Sequence, residues 1–169
     1  MKADHLFNES LSRDIVKIAT LSTLYGSSHK RISEMIEDES LDVQSVQNKI
    51  RKYFNIPILS RRLSREFSEN GYINSSFGRK ITPRKESNHI FVNHFIQSTA
   101  TDFSILGFKD LCQRLGLENI IFNPLFVIHD ALIMDIHCDD IENVKNIVKE
   151  GIRLKNFYGT FPMSFKIIS

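Results

Sequence analysis

The amino-acid sequence predicts an α+β fold: a mostly helical portion followed by a small antiparallel sheet built on a β-hairpin. Three observations carry that prediction. Apolar residues recur at helical spacing through most of the first 115 positions. Gly26, Pro57, Gly71 and Gly116 punctuate those stretches. The runs Leu125 to Ile128 and Leu132 to Ile136 then flank the polar pair His129-Asp130, as the strands of a hairpin flank its turn.

Taken in order, Ile15, Ile18, Ala19 and Leu24 define a first helix, capped by Ser10 or Ser12 and ended at Gly26. Lys30 to Glu37 forms a second helix, and Val43 to Phe54 a third that Pro57 ends. Ile58 to Glu69 forms a fourth, stopped by Asn70-Gly71, where glycine accepts the left-handed C′ conformation. Tyr72 to Ile81, with Gly78 inside and Pro83 after it, reads as a short strand or hairpin. Helical spacing returns from Ser87 to Leu115 and closes at Gly116. Beyond the hairpin, Asp139-Asp140-Ile141-Glu142 opens a helix in the capping-box manner, with Ile141, Val144, Val148 and Ile152 on one face. Phe161 to Ile168 reads as a closing strand.

With 169 residues, 41% of them hydrophobic and 25% charged, the chain is long enough to bury a core and too apolar for general disorder. Charge interrupts every apolar stretch well short of a membrane span, and Lys2, Asp4 and His5 precede no apolar leader region. Cys112 and Cys138 are too few for a disulfide framework or a cysteine-based zinc site, so a reducing cytoplasm is the expected setting. The net charge of +2 conceals an asymmetry: residues 1–85 carry 15 Lys/Arg against 10 Asp/Glu, and residues 86–169 carry 7 against 10. Between Lys49 and Arg65 stand six basic side chains and no acid, a cluster that attracts polyanions or forms a solvated basic face.

Three constellations carry chemistry. Arg13 and Lys17 lie one turn apart, about 40° around a helix, and offer a clamp for a polyphosphate, with Tyr25 further along to present a ring to a base or sugar. The plain alternative gives Arg13 an acidic neighbour and Tyr25 a place in the core. Asn93 and Gln97, one turn apart, offer donors and acceptors that suit groove edges, although paired amides also bond backbone or water. His129-Asp130 raises a carboxylate on a tight turn, where it suits a hard cation such as Mg²⁺; Asp also favours turns for backbone reasons alone.

Together these segments resemble the motifs of family A DNA polymerases. Arg13-x₃-Lys17-x₇-Tyr25-Gly26 is similar to motif B, the nucleotide-binding fingers helix. Gly71-Tyr72-Ile73 leading to Phe77-Gly78-Arg79-Lys80 resembles the segment between fingers and palm. Asn93-x₃-Gln97-Ser98-Thr99-Ala100-Thr101-Asp102 resembles the family's Asn-x₃-Gln helix, and Ile128-His129-Asp130-Ala131-Leu132 resembles motif C. The resemblance implies a fingers portion over 1–70 and a C-terminal palm portion over 71–169. It further implies that Arg13 and Lys17 hold the triphosphate of an incoming dNTP, with Lys17 able to protonate the leaving pyrophosphate. Leu21 and Tyr25 would flank the nucleotide, and Arg79, Asn93, Gln97 and His129 would contact primer-template DNA. Asp130 would bind the catalytic Mg²⁺ ions.

Departures from the family pattern accompany the match. Leu21 stands where an aromatic residue is usual, His89 where Arg is usual, Ser98 replaces Gly, and Ala131 replaces the Glu after the metal ligand. Motif A, which supplies the other metal-binding Asp, belongs several tens of residues before Arg13, and Asp4 carries none of its pattern. The expectation is therefore a phage-type or bacterial polymerase made as a split or truncated piece, working with an N-terminal polymerase fragment that carries motif A and the thumb. A single-subunit RNA polymerase fragment and a non-catalytic nucleic-acid-binding remnant are the alternatives.

Overall fold

The structure is a computed structural model, and it describes residues 11–36, 38, 41–85, 87–154, 157 and 159–168. Ser10, Glu37 and the segment around Asp4 lie outside the described residues. The fold is α+β, mostly helical with two small antiparallel sheets. The described chain falls into two compact units divided between Thr99 and Ala100.

The first unit opens with α1 (Arg13–Leu24), α2 (His29–Ile36) and α3 (Val43–Tyr53). Ser12 caps α1 by accepting the Ile15 amide at 3.3 Å, and Asp42 caps α3 by accepting from Ser45 at 3.0 Å. Their apolar stripes meet in one cluster of Ala19, Ile32, Val43, Val46 and Ile50. Buried Gln47 donates to the Ser27 carbonyl at 2.8 Å and so satisfies the α1–α2 turn from α3.

Pro57 does not end α3, as the sequence predicted; it lies in the first turn of α4 (Ile56–Asn70), where its missing N–H costs nothing. The break falls at Asn55, whose φ of 50° places it in the left-handed region that Asn tolerates. Gly71 closes α4 with φ 76°, as expected of a C-terminal glycine. The strands β1 (Ile73–Asn74) and β2 (Lys80–Ile81) form a two-stranded antiparallel pair. Ile73 and Ile81 pack with Leu63, Phe91 and Val92 in a second cluster.

The long helix α5 (Asn88–Leu117) runs past Gly107 and through Gly116, so Gly116 is not its stop; Asn119, with φ 57°, turns the chain instead. In the second unit, β3 (Phe122–Ile128) pairs with β4 (Ala131–Ile136), with a bulge between Pro124 and Phe126. A 3₁₀ turn, Cys138–Asp140, leads into α6 (Ile141–Lys149). The capping box is not realised, because Asp140 makes no side-chain cap bond and His137 accepts the Asp139 amide instead.

Ile152 lies beyond α6 and forms an isolated antiparallel bridge to Phe161. The predicted closing strand is reduced to that bridge among the described residues. Pro162 removes a ladder donor, and Met163 and Phe165 hold the segment by packing on the core of Leu111, Leu115, Val144 and Val148. No described helix is long and apolar enough to cross a membrane.

Candidate functional site

On α1 the buried face is Ala19, Ser22 and Thr23, which leaves Arg13, Lys17, Leu21 and Tyr25 on the exposed side. A spacing of four residues advances about 40° per step, so the four form a slowly winding stripe about 18 Å long. Neither Arg13 nor Lys17 forms an ion pair with a described residue. Tyr25 is the C-cap and stays out of the core, and Gly26 follows it with φ 82°.

Gly26 also allows a close approach. A Cβ there would lie 2.8 Å from the Cβ of His89, so the end of α1 rests against the start of α5. His89, the residue that replaces the family's usual Arg, is held in turn by Ser87 at 2.7 Å.

A second grouping gathers around the β1–β2 turn. The Arg79 guanidinium donates to the Ser98 carbonyl of α5 at 3.1 Å, next to Gln97, and Thr99 Oγ1 accepts the Ser76 amide at 3.1 Å. Gln97 is exposed, whereas Asn93 is half-buried with its Oδ1 covered and without a hydrogen-bond partner among the described residues. A recess of about 440 Å³ opens beside this turn, lined by Arg62, Glu66, Asn74, Ser75, Ser76 and Phe95. Glu66 is already engaged there, accepting from the Asn74 backbone at 2.9 Å and its side chain at 2.6 Å.

The basic run is not uniformly available. Arg65 pairs with Glu69 at 2.7 Å, which holds its guanidinium pKa above the ordinary value, and Arg62 lies over the Phe95 ring at 5.2 Å.

In the second unit, His129 and Asp130 are themselves the two-residue loop between Ile128 and Ala131. His129 takes φ 52°, and both side chains are exposed. Asp130 offers one hard oxygen donor at the tip of a register-fixed hairpin, which suits a cation that takes one or two carboxylates plus substrate phosphates. Among the described residues it belongs to no group of three or more ligating side chains.

Such a group does occur at the other end of β4, where His137, Cys138 and Asp139 bring their ligating atoms within 4.8 Å of one another. Sequence reasoning passed over it, since three adjacent residues have no motif spacing. The group satisfies itself: the Cys138 thiol donates to Asp139 at 3.6 Å, and His137 Nδ1 takes the Asp139 amide at 3.4 Å. The other thiol, Cys112, has its pKa raised by burial, which disfavours the thiolate.

The strand leading to Asp130 is apolar and uncovered. Leu125, Phe126, Val127 and Ile128 are 45 to 53% exposed, on both faces of β3. A continuous apolar run is the pattern of a strand buried on both faces.

Comparison with known proteins decides the family. A sequence model described as DNA polymerase family A matches residues 3–167. The chain belongs to this family. It is 26% identical over 152 residues to a thermostable DNA polymerase I of Thermus filiformis, covering 82% of this chain and 18% of that protein. It is 28% identical over 138 residues to the DNA polymerase of Mycobacterium phage D29, covering 79% of this chain and 21% of that one. It thus spans about a fifth of the length of these curated relatives. The POL domain of Pol1 from M. smegmatis, in complex with DNA primer-template and dNTP, superimposes with a TM-score of 0.63 at 15% identity, over 88% of this chain and 29% of that domain. That likeness establishes the fold.

Proposed function

We propose that this chain is the fingers and C-terminal palm portion of a cytoplasmic DNA-directed DNA polymerase, fingers over 1–70 and palm over 71–169, acting with a further segment that carries motif A and the thumb. The observation that carries the reading is the exposed stripe Arg13, Lys17, Leu21 and Tyr25, standing on a helix whose opposite face is locked into a core. Two cations one turn apart hold the phosphates of a dNTP, and Lys17 gives a proton to the leaving pyrophosphate oxygen. Tyr25, fixed by the Gly26–His89 approach, borders the base. Arg79 and Gln97, beside each other through the bond to Ser98, contact primer-template DNA together with Asn93 and His129.

Asp130 is the residue that would hold Mg²⁺, which when bound supplies positive charge to the reacting phosphate oxygens. One carboxylate with Ala131 beside it is an incomplete set of ligands, and the exposed β3 run is the surface on which the segment bearing the second carboxylate settles.

The test is primer extension with the upstream segment supplied in trans. The chain alone should give none, the pair should extend with dNTPs rather than NTPs, and Asp130→Ala or Lys17→Ala should abolish the restored activity. Extension by the chain alone, or an active assembled Asp130→Ala enzyme, would overturn the assignment. DNA binding without any extension by the pair would favour the non-catalytic remnant. Leu21→Tyr should raise the use of dideoxynucleotides relative to dNTPs, since a phenol beside the phosphates can stand in for the missing 3′-hydroxyl.

A further inference from the structure

We propose that the elbow between α3 and α4 is a binding site for single-stranded nucleic acid, distinct from the residues given to nucleotide and primer-template above. It goes beyond the polymerase reading and uses none of its catalytic groups. Tyr53 and Phe54 stand at this elbow, 47% and 41% exposed, with ring centroids 5.0 Å apart and planes at 85°. Among the described residues neither ring belongs to a core cluster of the unit.

The backbone that carries the rings is fixed on both sides. The Phe54 amide donates to Ile50 at 3.0 Å, Asn55 donates to Lys52 at 3.2 Å, and the Asn55 carbonyl accepts from both Ile58 and Leu59 at 3.0 Å. Asn55 takes its left-handed conformation as the N-cap of α4 without any side-chain cap bond. Two large aromatic rings held out by a locked backbone form a stacking platform with little ordering entropy left to lose.

The helix α3, whose C-terminal end carries the rings, also holds a polar recess of about 400 Å³, lined by Asp42, Gln44, Ser45, Asn48, Lys49 and Lys52. Its one acid, Asp42, accepts the Ser45 amide as the α3 cap and is outnumbered there by Lys49 and Lys52. Arg51 adds a third cation in the last turn of α3, and no acid occurs from Lys49 to Arg65. Cations in the last turn of α3, immediately before two exposed rings, match a polyanion whose bases are unpaired and free to stack. A duplex offers the same phosphates but keeps its bases inside, so the rings set the preference and the lysines set the charge.

Fluorescence anisotropy of the full chain with labelled oligothymidine and with a duplex of equal length, over a salt series, tests this. Single strands should bind more tightly. Tyr53→Leu with Phe54→Leu, which keeps the surface apolar, should weaken single-strand binding about tenfold or more and leave duplex binding within about twofold. Tyr53→Trp with Phe54→Trp should retain it. Lys49→Gln with Lys52→Gln should weaken both ligands and flatten the slope of log affinity against log salt by about one to two.

Unchanged single-strand affinity in the leucine variant, or an equal loss for duplex, overturns the proposal, as does binding to anionic vesicles in its place. Single-strand binding lost only on Arg13→Ala or Lys17→Ala would overturn it while supporting the polymerase reading. A ring-dependent single-strand preference in a chain that no upstream segment can activate would uphold it and count against that reading.

Discussion

Leu63 of α4 and Phe126 of β3 are both large apolar side chains on regular elements, yet the first is fully buried and the second is 53% exposed. Around Leu63 the first unit closes on itself: α4, the β1–β2 pair and the start of α5 bury Ile73, Ile81, Phe91 and Val92 together. Phe126 pairs with Ile133 of β4, whose Leu132, Met134 and Ile136 pack on the α5–α6 core. A sheet needs a layer against each apolar face, and among the described residues the run Leu125 to Ile128 of β3 stays about half exposed. The exposed polar residues of α1 and of the β1–β2 turn therefore stand on a closed core, whereas Asp130 follows a strand whose apolar residues are about half exposed.

Substitution sharpens the contrast. Leu63→Ala should cost about 2–5 kcal/mol through lost burial and an unfilled cavity, read as a fall of several degrees in Tm. Phe126→Ser should change stability by no more than about 0.5 kcal/mol, improve solubility of the isolated chain, and weaken association with the upstream segment in a pull-down. Equal costs for the two would mean that β3 is as fully packed as α4. Gly26→Ala comes next, at about 1–3 kcal/mol, because it combines a positive φ with a 2.8 Å approach to His89; a thermal melt without any shift would show that this contact is loose.

Ser12→Ala should remove the α1 cap for about 1 kcal/mol, measured by urea denaturation, and fray the helix at Arg13. The smallest effect belongs to the second unit, where the hydrogen bond and charge of Lys145 lower the Glu142 pKa. A depressed carboxyl contributes stability above its unfolded pKa and loses it as pH falls through its folded value. An NMR titration should therefore show the Glu142 pKa rise in Lys145→Ala; an unmoved titration would remove the pair from the account of α6.

Elements with strong local signals were legible in the sequence. α1 follows from its apolar spacing and Ser12, α4 ends at Gly71, and His129-Asp130 forms the hairpin turn where the β-prone runs placed it. The misplaced boundaries were those decided by longer-range contacts. Pro57 fits either the end of one helix or the first turn of the next, and the left-handed Asn55 decides between them. Gly116 stays helical because Leu115 is anchored in the core beside it. The motif residues were found through their spacing, whereas the Tyr53–Phe54 elbow and the His137–Cys138–Asp139 group are adjacent residues without a period. Ile50 and Leu63 are buried, and only the folded chain shows that the rings between them remain outside the core.

The bulge between Pro124 and Phe126 has a consequence for misassembly. Fibrillar zippers recruit flat, uncharged segments of about six or seven residues that contain no proline. Pro124 and the bulge bend β3 at one end, and His129 with Asp130 polarises the other, so the exposed run is cut to Leu125, Phe126, Val127 and Ile128. Four residues are too few to template a cross-β stack, yet they remain sticky enough to admit a specific cover. The carboxylate at the hairpin tip thus acts as a gatekeeper, disfavouring pairing of the exposed strand with its own copies.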